Sequence, residues 1–378
     1  MDKVKVLHIL TMIEKNGEYG GPVTVARTLQ AASLNSRYSL KLIGGTREPI
    51  LFGGNQDWVE GKFRVRAISK RKKVSTLISL RIVKELWNDI GKSQLVHLHF
   101  ARDLIQLIAA TICILKQKPY FIQTHGMIRK KDSIYVDWFD FALIVPILKK
   151  ATNCFVLSEN EAQELLKICP KIQLSILRNG VNFENHFYHY PKVTSVVEIV
   201  FCSRLHSTKG IRQFCELAKK FEGDNRYVFR IYGPDGGELN WVENFILENR
   251  AIELRYMGSL NASEVLEMLK RVDLLVLPSN YDPYPMIVLE ALSVGTPVLI
   301  NSVCGQSEEI RRNNNHFIYD GADSESLIEA FNSLGPSKID SIYRNSLNKK
   351  YEKIFGINQV WEIVMGYYDN TIKGKKHD

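Results

Sequence analysis

No stretch of this 378-residue chain is long and apolar enough to cross a bilayer. Its longest predominantly apolar run, Leu107–Leu115, is nine residues, where a membrane core needs roughly 20. Near the start, strand-like Val4–Leu10 gives way at once to polar Glu14-Lys15-Asn16-Gly17. The apolar core and small-residue cleavage site of a signal peptide are missing, which predicts a cytoplasmic protein. The six cysteines (Cys113, Cys154, Cys169, Cys202, Cys215, Cys304) are scattered and form no C-x-x-C pair, so reduced thiols are expected. There is no G-x-G-x-x-G after the first strand, no G-x-x-x-x-G-K-[ST], no D-x-D and no H-E-x-x-H. The usual dehydrogenase, ATPase and metalloprotease signatures are therefore excluded. His97, His99 and His125 read as hydrogen-bonded residues at strand ends rather than as ligands, and no metal is expected.

What is present is a folded composition: 45% hydrophobic and 24% charged residues exclude general disorder. The length suits two domains. The net charge of +9 is uneven, with 28 Lys/Arg against 16 Asp/Glu in residues 1–190 and 22 against 25 in the rest. Basic clusters at Lys70-Arg71-Lys72-Lys73, Arg129-Lys130-Lys131 and Lys149-Lys150 are solvated faces or contacts for anionic lipid or another polyanion. Aromatic residues are not interleaved with them in the pattern that stacks bases, so no nucleic-acid partner is expected.

Val4–Leu10 reads as a buried strand, followed by a loop ending in Gly20-Gly21-Pro22 and a helix to about Ser33 with Pro22 in its first turn. Further strands are expected at Ser39–Ile43, Leu95–His99, Tyr120–Gln123, Cys154–Leu157 and Ile176–Leu177, with helices over 76–91 and 103–117 between them. The pattern restarts after Tyr188-His189-Tyr190-Pro191, with strands at Glu198–Cys202, Tyr227–Ile231, Glu253–Met257, Asp273–Leu277 and Pro297–Ile300. Such alternation predicts two doubly wound α/β domains of parallel sheet, divided at 188/189, facing a central cleft at the carboxyl ends of their strands. A last helix over 357–372 carries Val360, Trp361, Ile363, Val364, Tyr367 and Tyr368 at helical spacing, so one face is expected to be buried.

Residues 273–297 form the densest stretch: strand, loop, helix, turn, strand. Pro285 opens the helix, Gly295 closes it, and Glu290 lies one turn inside. The unpaired amides of a first helical turn attract phosphate. Asp282, eight positions ahead of Glu290, would repel an anion unless both carboxylates meet hydroxyl groups, which fits phosphates flanked by sugars. Upstream, Arg204 and Lys209-Gly210 stand between a strand and a helix, where two cations can grip a diphosphate; the alternatives are an exposed loop pair here and a solvated Asp with a paired Glu there.

Taken together, the residues resemble the GT-B-fold retaining glycosyltransferases of family four (glycosyl transferases group 1). The pieces are Gly20-Gly21-Pro22, Arg204 with Lys209-Gly210, Asp282-x7-Glu290-Ala291 with Gly295-Thr296-Pro297, and Cys304-Gly305-x-x-Glu308. Val96-His97-Leu98-His99, Thr124-His125-Gly126, Leu157-Ser158-Glu159 and Arg178-Asn179-Gly180-Val181 look like that family too, in the same order. The resemblance implies an acceptor domain over 1–188, a nucleotide-sugar domain over 189–356, and a C-terminal helix with a basic tail (357–378) that crosses back to the first.

It also implies transfer of a hexose from a nucleotide-diphosphate sugar, without cofactor or required metal, to a glycan or polyprenyl-diphosphate-linked glycan acceptor of a surface polysaccharide. The location implied is peripheral, on the inner face of the cytoplasmic membrane. By position, Arg204 and Lys209 hold the diphosphate, helped by the amides near Tyr284, Pro285, Met286 and Ile287. Glu290 takes the ribose and Asp282 the sugar; Gly20 and Gly21 approach the diphosphate and acceptor; His125 lies by the transferred sugar; Gly21, His99 and His125 face the acceptor. Arg204, Lys209, His125 and Asp282 form the implied catalytic group. Three departures stand out: Asp282 where Glu is usual, Pro285 where Gly is common, and Cys304 for the first Gly of its turn. The alternative is a catalytically inactive GT-B-like subunit that binds a nucleotide sugar or a polyanion and assists a partner enzyme.

Overall fold

The computed structural model describes residues 3–13, 20–46, 59–64, 66–67, 77–78, 82–183, 196–249, 253–313, 317–334 and 341–374. The basic cluster at 70–73, the expected boundary at 188/189, the loop at 14–19 and the tail beyond 374 lie outside them. The chain forms two compact units, Met1–Gly180 with Ile357–Asp378, and Val181–Gly356.

The N-terminal unit runs β1 (Val4–Met12), α1 (Gly20–Ser33), β2 (Tyr38–Thr46), β3 (Val59–Arg64), β4 (Arg66–Ala67), β5 (Leu77–Ile78), α2 (Ile82–Lys92), β6 (Leu95–His99) and α3 (Leu104–Leu115). It continues through β7 (Tyr120–Gln123), α4 (Ile134–Phe139), a π-helical turn (Asp140–Ile144), α5 (Val145–Lys150), β8 (Asn153–Val156), α6 (Glu159–Ile168) and β9 (Leu174–Ile176). Seven strands form one parallel sheet in the order β3-β2-β1-β6-β7-β8-β9. Its inner strands β6, β7 and β8 are buried on both faces, as a sheet covered by helices requires. The helix expected from residue 76 begins at Ile82 instead, because Leu77–Ile78 pairs antiparallel with Arg66–Ala67. Strand β3 was not read from the sequence.

The second unit runs β10 (Val197–Cys202), α7 (Ile211–Lys220), β11 (Tyr227–Tyr232), α8 (Leu239–Glu248), β12 (Leu254–Tyr256), α9 (Ala262–Arg271) and β13 (Leu274–Leu277). Then come α10 (Met286–Ser293), β14 (Val298–Asn301), α11 (Ser307–Asn313), β15 (Ile318–Tyr319), α12 (Ser324–Ser333) and α13 (Ser341–Phe355). Its parallel sheet has the order β12-β11-β10-β13-β14-β15. Local chemistry sets the helix starts: Asn261 and Glu264 form a reciprocal capping box on α9, and Asp323 caps α12.

Helix α14 (Ile357–Gly374) returns to the N-terminal unit and buries Val360, Trp361, Val364 and Tyr368. Tyr38 and Arg37 both bond Asp369, and the Tyr367 hydroxyl donates to Ser175 Oγ at 2.7 Å. All six cysteines are free and buried, and burial pushes the thiols of Cys113, Cys154 and Cys202 up to about 12. Among the described residues no helix is long and apolar enough to cross a membrane.

Candidate active site

In the second unit the strand order reverses between β10 and β13, so the loops leaving these strands border the crevice where open α/β sheets bind ligands. The β10 loop carries exposed Arg204 and, on a 3₁₀ turn (Ser207–Lys209), the half-buried Lys209. Gly210 follows at φ +75°, and a Cβ there would lie 1.8 Å from the Pro278 carbonyl oxygen, so only glycine lets this loop close on the β13 loop. The amides of Asn280 and Tyr281 donate to the Thr208 carbonyl at 2.9 and 3.3 Å. Gly236 leaves room for the arginine, since a Cβ at 236 would sit 2.8 Å from Arg204 Cγ.

This closure brings Lys209 Nζ to 2.5 Å from Asp282 Oδ2. The sequence suggested two separate ligand contacts; the structure bonds them to each other. Asp282 is 6% exposed, and burial raises its carboxyl above the usual range while Lys209 opposes the shift. The β14 loop braces it from behind. Asp282 and Cys304 form an isolated parallel bridge, and the Gly305 amide donates to the Asp282 carbonyl at 3.2 Å. A Cβ at 305 would meet the Pro283 oxygen at 1.7 Å. Gln306 Nε2 donates to the Pro285 carbonyl at 2.8 Å, fixing the start of α10, where Pro285 is the N-cap.

Tyr284 and Pro285 are buried, while Met286 and Ile287, half-buried, begin the helix. Pro285 brings no amide to this turn, leaving those of Met286 and Ile287 as its orphan donors. One turn on, burial pushes the Glu290 carboxyl up to about 7. A carboxyl half protonated near neutrality donates or accepts, which suits hydroxyl partners.

The first unit repeats the topology with different side chains. Its switch point lies between β1 and β6, where His8 and His97 are paired in register and stacked at 4.6 Å. His125 Nε2 lies 2.8 Å from His99 Nδ1, and His99 Nε2 lies 3.0 Å from His8 Nδ1. His8 Nε2 is 3.3 Å from the Tyr368 hydroxyl of α14, which is 2.7 Å from His97 Nδ1. Burial lowers His97 and His125 to about 3 and His8 and His99 well below their ordinary value, so all four rings are neutral. A neutral imidazole donates from one nitrogen and accepts at the other, so His8, His99 and His125 must share one tautomer, and Nδ1 of His125 is the end of the chain. His99 is 1% exposed with both nitrogens engaged. Of the three residues implied to face the acceptor, His99 therefore meets His125 on one side and His8 on the other.

His125 sits in the turn after β7 at φ +50°, next to Gly126 at φ +72°. That strained turn is held by Glu161 of α6, a residue the sequence reading missed. Its Oε1 accepts from the Thr124 hydroxyl and the Gly126 amide, each at 2.5 Å, and Oε2 from the Leu157 amide at 2.6 Å. Ser158 caps α6 with Glu161 three residues on, a spacing that signals a capping box. Here the carboxylate reaches across to the β7 turn instead. Gly21, in the first turn of α1, has open space where a Cβ would point, and Gly20 opens that helix.

Residues 182–353, nearly the whole second unit, match the family model described as Glycosyl transferases group 1. Among curated relatives, the glycogen synthase of Mycobacterium tuberculosis is 25% identical over 140 residues, 36% of this chain. The match spans about a third of that relative's length, 34%. The UDP-Gal:alpha-D-GlcNAc-diphosphoundecaprenol alpha-1,3-galactosyltransferase of Escherichia coli is 24% identical over 414 aligned residues, covering 99% of this chain and 98% of its own. Anabaena Alr3699/HepE, solved in complex with UDP and glucose, has the same fold: TM-score 0.73 at 13% identity, covering 97% of this chain and 100% of that one.

Proposed function

We propose that this chain, whose residues 182–353 match the glycosyl transferases group 1 model and whose fold is GT-B, moves a hexose, with retained anomeric configuration, from a nucleotide-diphosphate sugar to a lipid-linked glycan in surface-polysaccharide synthesis. The observation that carries this reading is the Lys209–Asp282 pair, held against the start of α10 at the β10/β13 switch point. A cation already bonded to a buried carboxylate is positioned before the donor arrives. Lys209 then serves two anions, the donor diphosphate and Asp282, while the second oxygen of Asp282 accepts from a sugar hydroxyl.

Arg204 grips the diphosphate as a fork and Lys209 as a point charge, and both stabilise the charge that grows on it as the glycosidic bond breaks. The Met286 and Ile287 amides assist at the helix start. Glu290 takes the ribose hydroxyls. The departing phosphate oxygen accepts the acceptor's proton, so no carboxylate acts as nucleophile. Gly21 and His125 of the first unit serve the acceptor and the transferred sugar. The lipid-linked acceptor is supported by the activity for which the Escherichia coli relative is named, and a uridine donor by that name together with the UDP bound to the Anabaena protein. Such an acceptor places the enzyme at the cytoplasmic face of a membrane.

The test is a thermal-shift and turnover panel of UDP-glucose, UDP-galactose, UDP-N-acetylglucosamine, GDP-mannose and GDP-fucose, with Lys209→Ala as control. A ligand of the folded state raises the melting temperature by mass action. One donor that shifts the wild type alone, and yields by NMR a product with the anomeric configuration of that donor, is the expected result. An inverted product would overturn retention, and no shift with any donor would overturn the transferase reading in favour of an inactive subunit.

A further inference from the structure

The stretch Ile134–Lys150 is built inside out. It runs as α4, the π-helical turn and α5 without a break. Its inner face buries Ile144, Ile147 and Leu148 together with a charged residue, Asp140. Arg102 satisfies that carboxylate bidentately at 2.7 and 2.6 Å and also donates to the Arg129 carbonyl at 2.8 Å. The outer face carries Ile134, Trp138 and Phe141, spaced i, i+4 and i+7, with Tyr135 alongside. These are 79, 70, 76 and 84% exposed. Surface helices ordinarily turn such a stripe inward, and contiguous exposed apolar residues rimmed by polar ones mark an interaction surface.

We propose that this stripe is an interfacial anchor that seats the N-terminal unit on an anionic lipid bilayer; the inference rests on the reading that the acceptor is lipid-linked and names the surface that meets the membrane. Charge selects the occupant. Arg129, Lys130 and Lys131 precede the stripe and Lys149 and Lys150 close it. Of the three acids nearby, Asp140 is neutralised by Arg102 and Asp137 by Lys130 at 3.1 Å, leaving Asp132. An apolar, aromatic face between basic ends matches helices that lie in the headgroup region, with Trp and Tyr at the water boundary. Anionic headgroups then meet the lysines. A second copy of this chain docked on the same face would set these basic ends against each other.

The test is flotation of the full chain with vesicles of phosphatidylcholine alone or with 30% phosphatidylglycerol, at low and high salt, without donor or acceptor. Binding to the anionic vesicles, weakened by salt, and at least about a tenfold loss of partitioning in Trp138→Glu/Phe141→Glu are expected. The replaced side chains are exposed, so the variant should keep its melting temperature and its donor-induced thermal shift. Equal binding to both vesicle types, undiminished binding of the variant, or a wild-type dimer that the variant turns into a monomer would each overturn the proposal. A wild type that ignores vesicles yet turns over donor would remove the anchor and leave the transferase reading intact; vesicle binding without any donor shift would do the reverse.

Discussion

The two units solve one topological problem with opposite electrostatics. Each is a parallel sheet whose strand order reverses beside its first strand, and each gathers polar side chains at that reversal. In the first they are imidazoles, buried, neutral and bonded in series from His125 through His99 and His8 to Tyr368. In the second they are ions: Arg204, Lys209 against Asp282, and the carboxyl of Glu290. Fold alone therefore does not decide what a crevice binds. A neutral hydrogen-bonding crevice suits hydroxyl-rich ligands, and a cationic one beside a helix start suits a diphosphate.

The sharpest way to break this contrast is to remove one group from each side. Lys209→Ala is expected to lower transfer at least about a hundredfold, the cost of losing a contact to the leaving group, and to weaken nucleotide binding in parallel. The fold should survive, because the carboxyl of Asp282, already raised by burial, takes up a proton when its cation is gone. Steady-state rates with calorimetric nucleotide affinity give both numbers; wild-type values would remove Lys209 from the site. On the other side, Glu161→Ala strips three acceptor contacts from the strained turn at His125. Stability should fall by about 3 kcal/mol and transfer by roughly tenfold, with nucleotide affinity unchanged. A fall in nucleotide affinity instead would show that the division of labour is wrong.

The difference between these residues is also why one was legible in the sequence and the other was not. Lys209-Gly210 and Asp282-x7-Glu290 announce themselves because loop, glycine and helix start are adjacent in the chain, and local chemistry dictates them. Glu161 carries a local signal too, but its S-x-x-E spacing points to its own helix, whereas its partners lie 35 and 37 residues away. The imidazole chain spans 91 residues between His8 and His99, and its last link comes from α14, 360 residues from His8. Only the fold brings those together. Strand β3 and the short β15 escaped for a related reason, since neither carries a long apolar run of its own. The Ile134–Trp138–Phe141 stripe shows a further limit: periodicity reveals that a helix has an apolar face, not which medium the face meets.

Titration sharpens the comparison, because the imidazoles of the first unit and Glu290 of the second respond to pH with opposite sign. Folded imidazoles with lowered pKa contribute stability above 6.5 and lose it as pH falls; for His97 and His125, lowered to about 3, the loss is about 2 kcal/mol each by pH 5. Glu290 runs the other way. Its carboxyl is raised from 4.5 to about 7, so the folded state binds the extra proton and stability falls as pH rises through that window, by up to about 3 kcal/mol. In Glu290→Gln that loss is absent. The variant should therefore melt higher than the wild type at pH 8 and close to it at pH 4.5, as calorimetry at the two pH values would read. An unchanged difference between them would mean that the carboxyl is ionised at little cost.

The smallest expected effect is none at all. Nucleotide-sugar transfer needs positive charge where the diphosphate departs, and enzymes supply it with a bound metal or with fixed cations and amides. Under the proposed reading Arg204, Lys209 and the first turn of α10 would supply it, and the neighbouring acid Asp282 is already bonded to Lys209 rather than turned outward with a second carboxylate to hold a divalent ion. In the first unit the rings of His8 and His99 use both nitrogens on each other, on His125 and on Tyr368, so a metal there would have to break the chain that orients His125. Transfer rates measured with and without excess chelator should therefore agree within error. A rate abolished by chelator and restored by one divalent ion would show that the lysine and arginine do not carry the leaving group's charge unaided, and the contrast between a neutral and an ionic crevice would have to be redrawn around the ion.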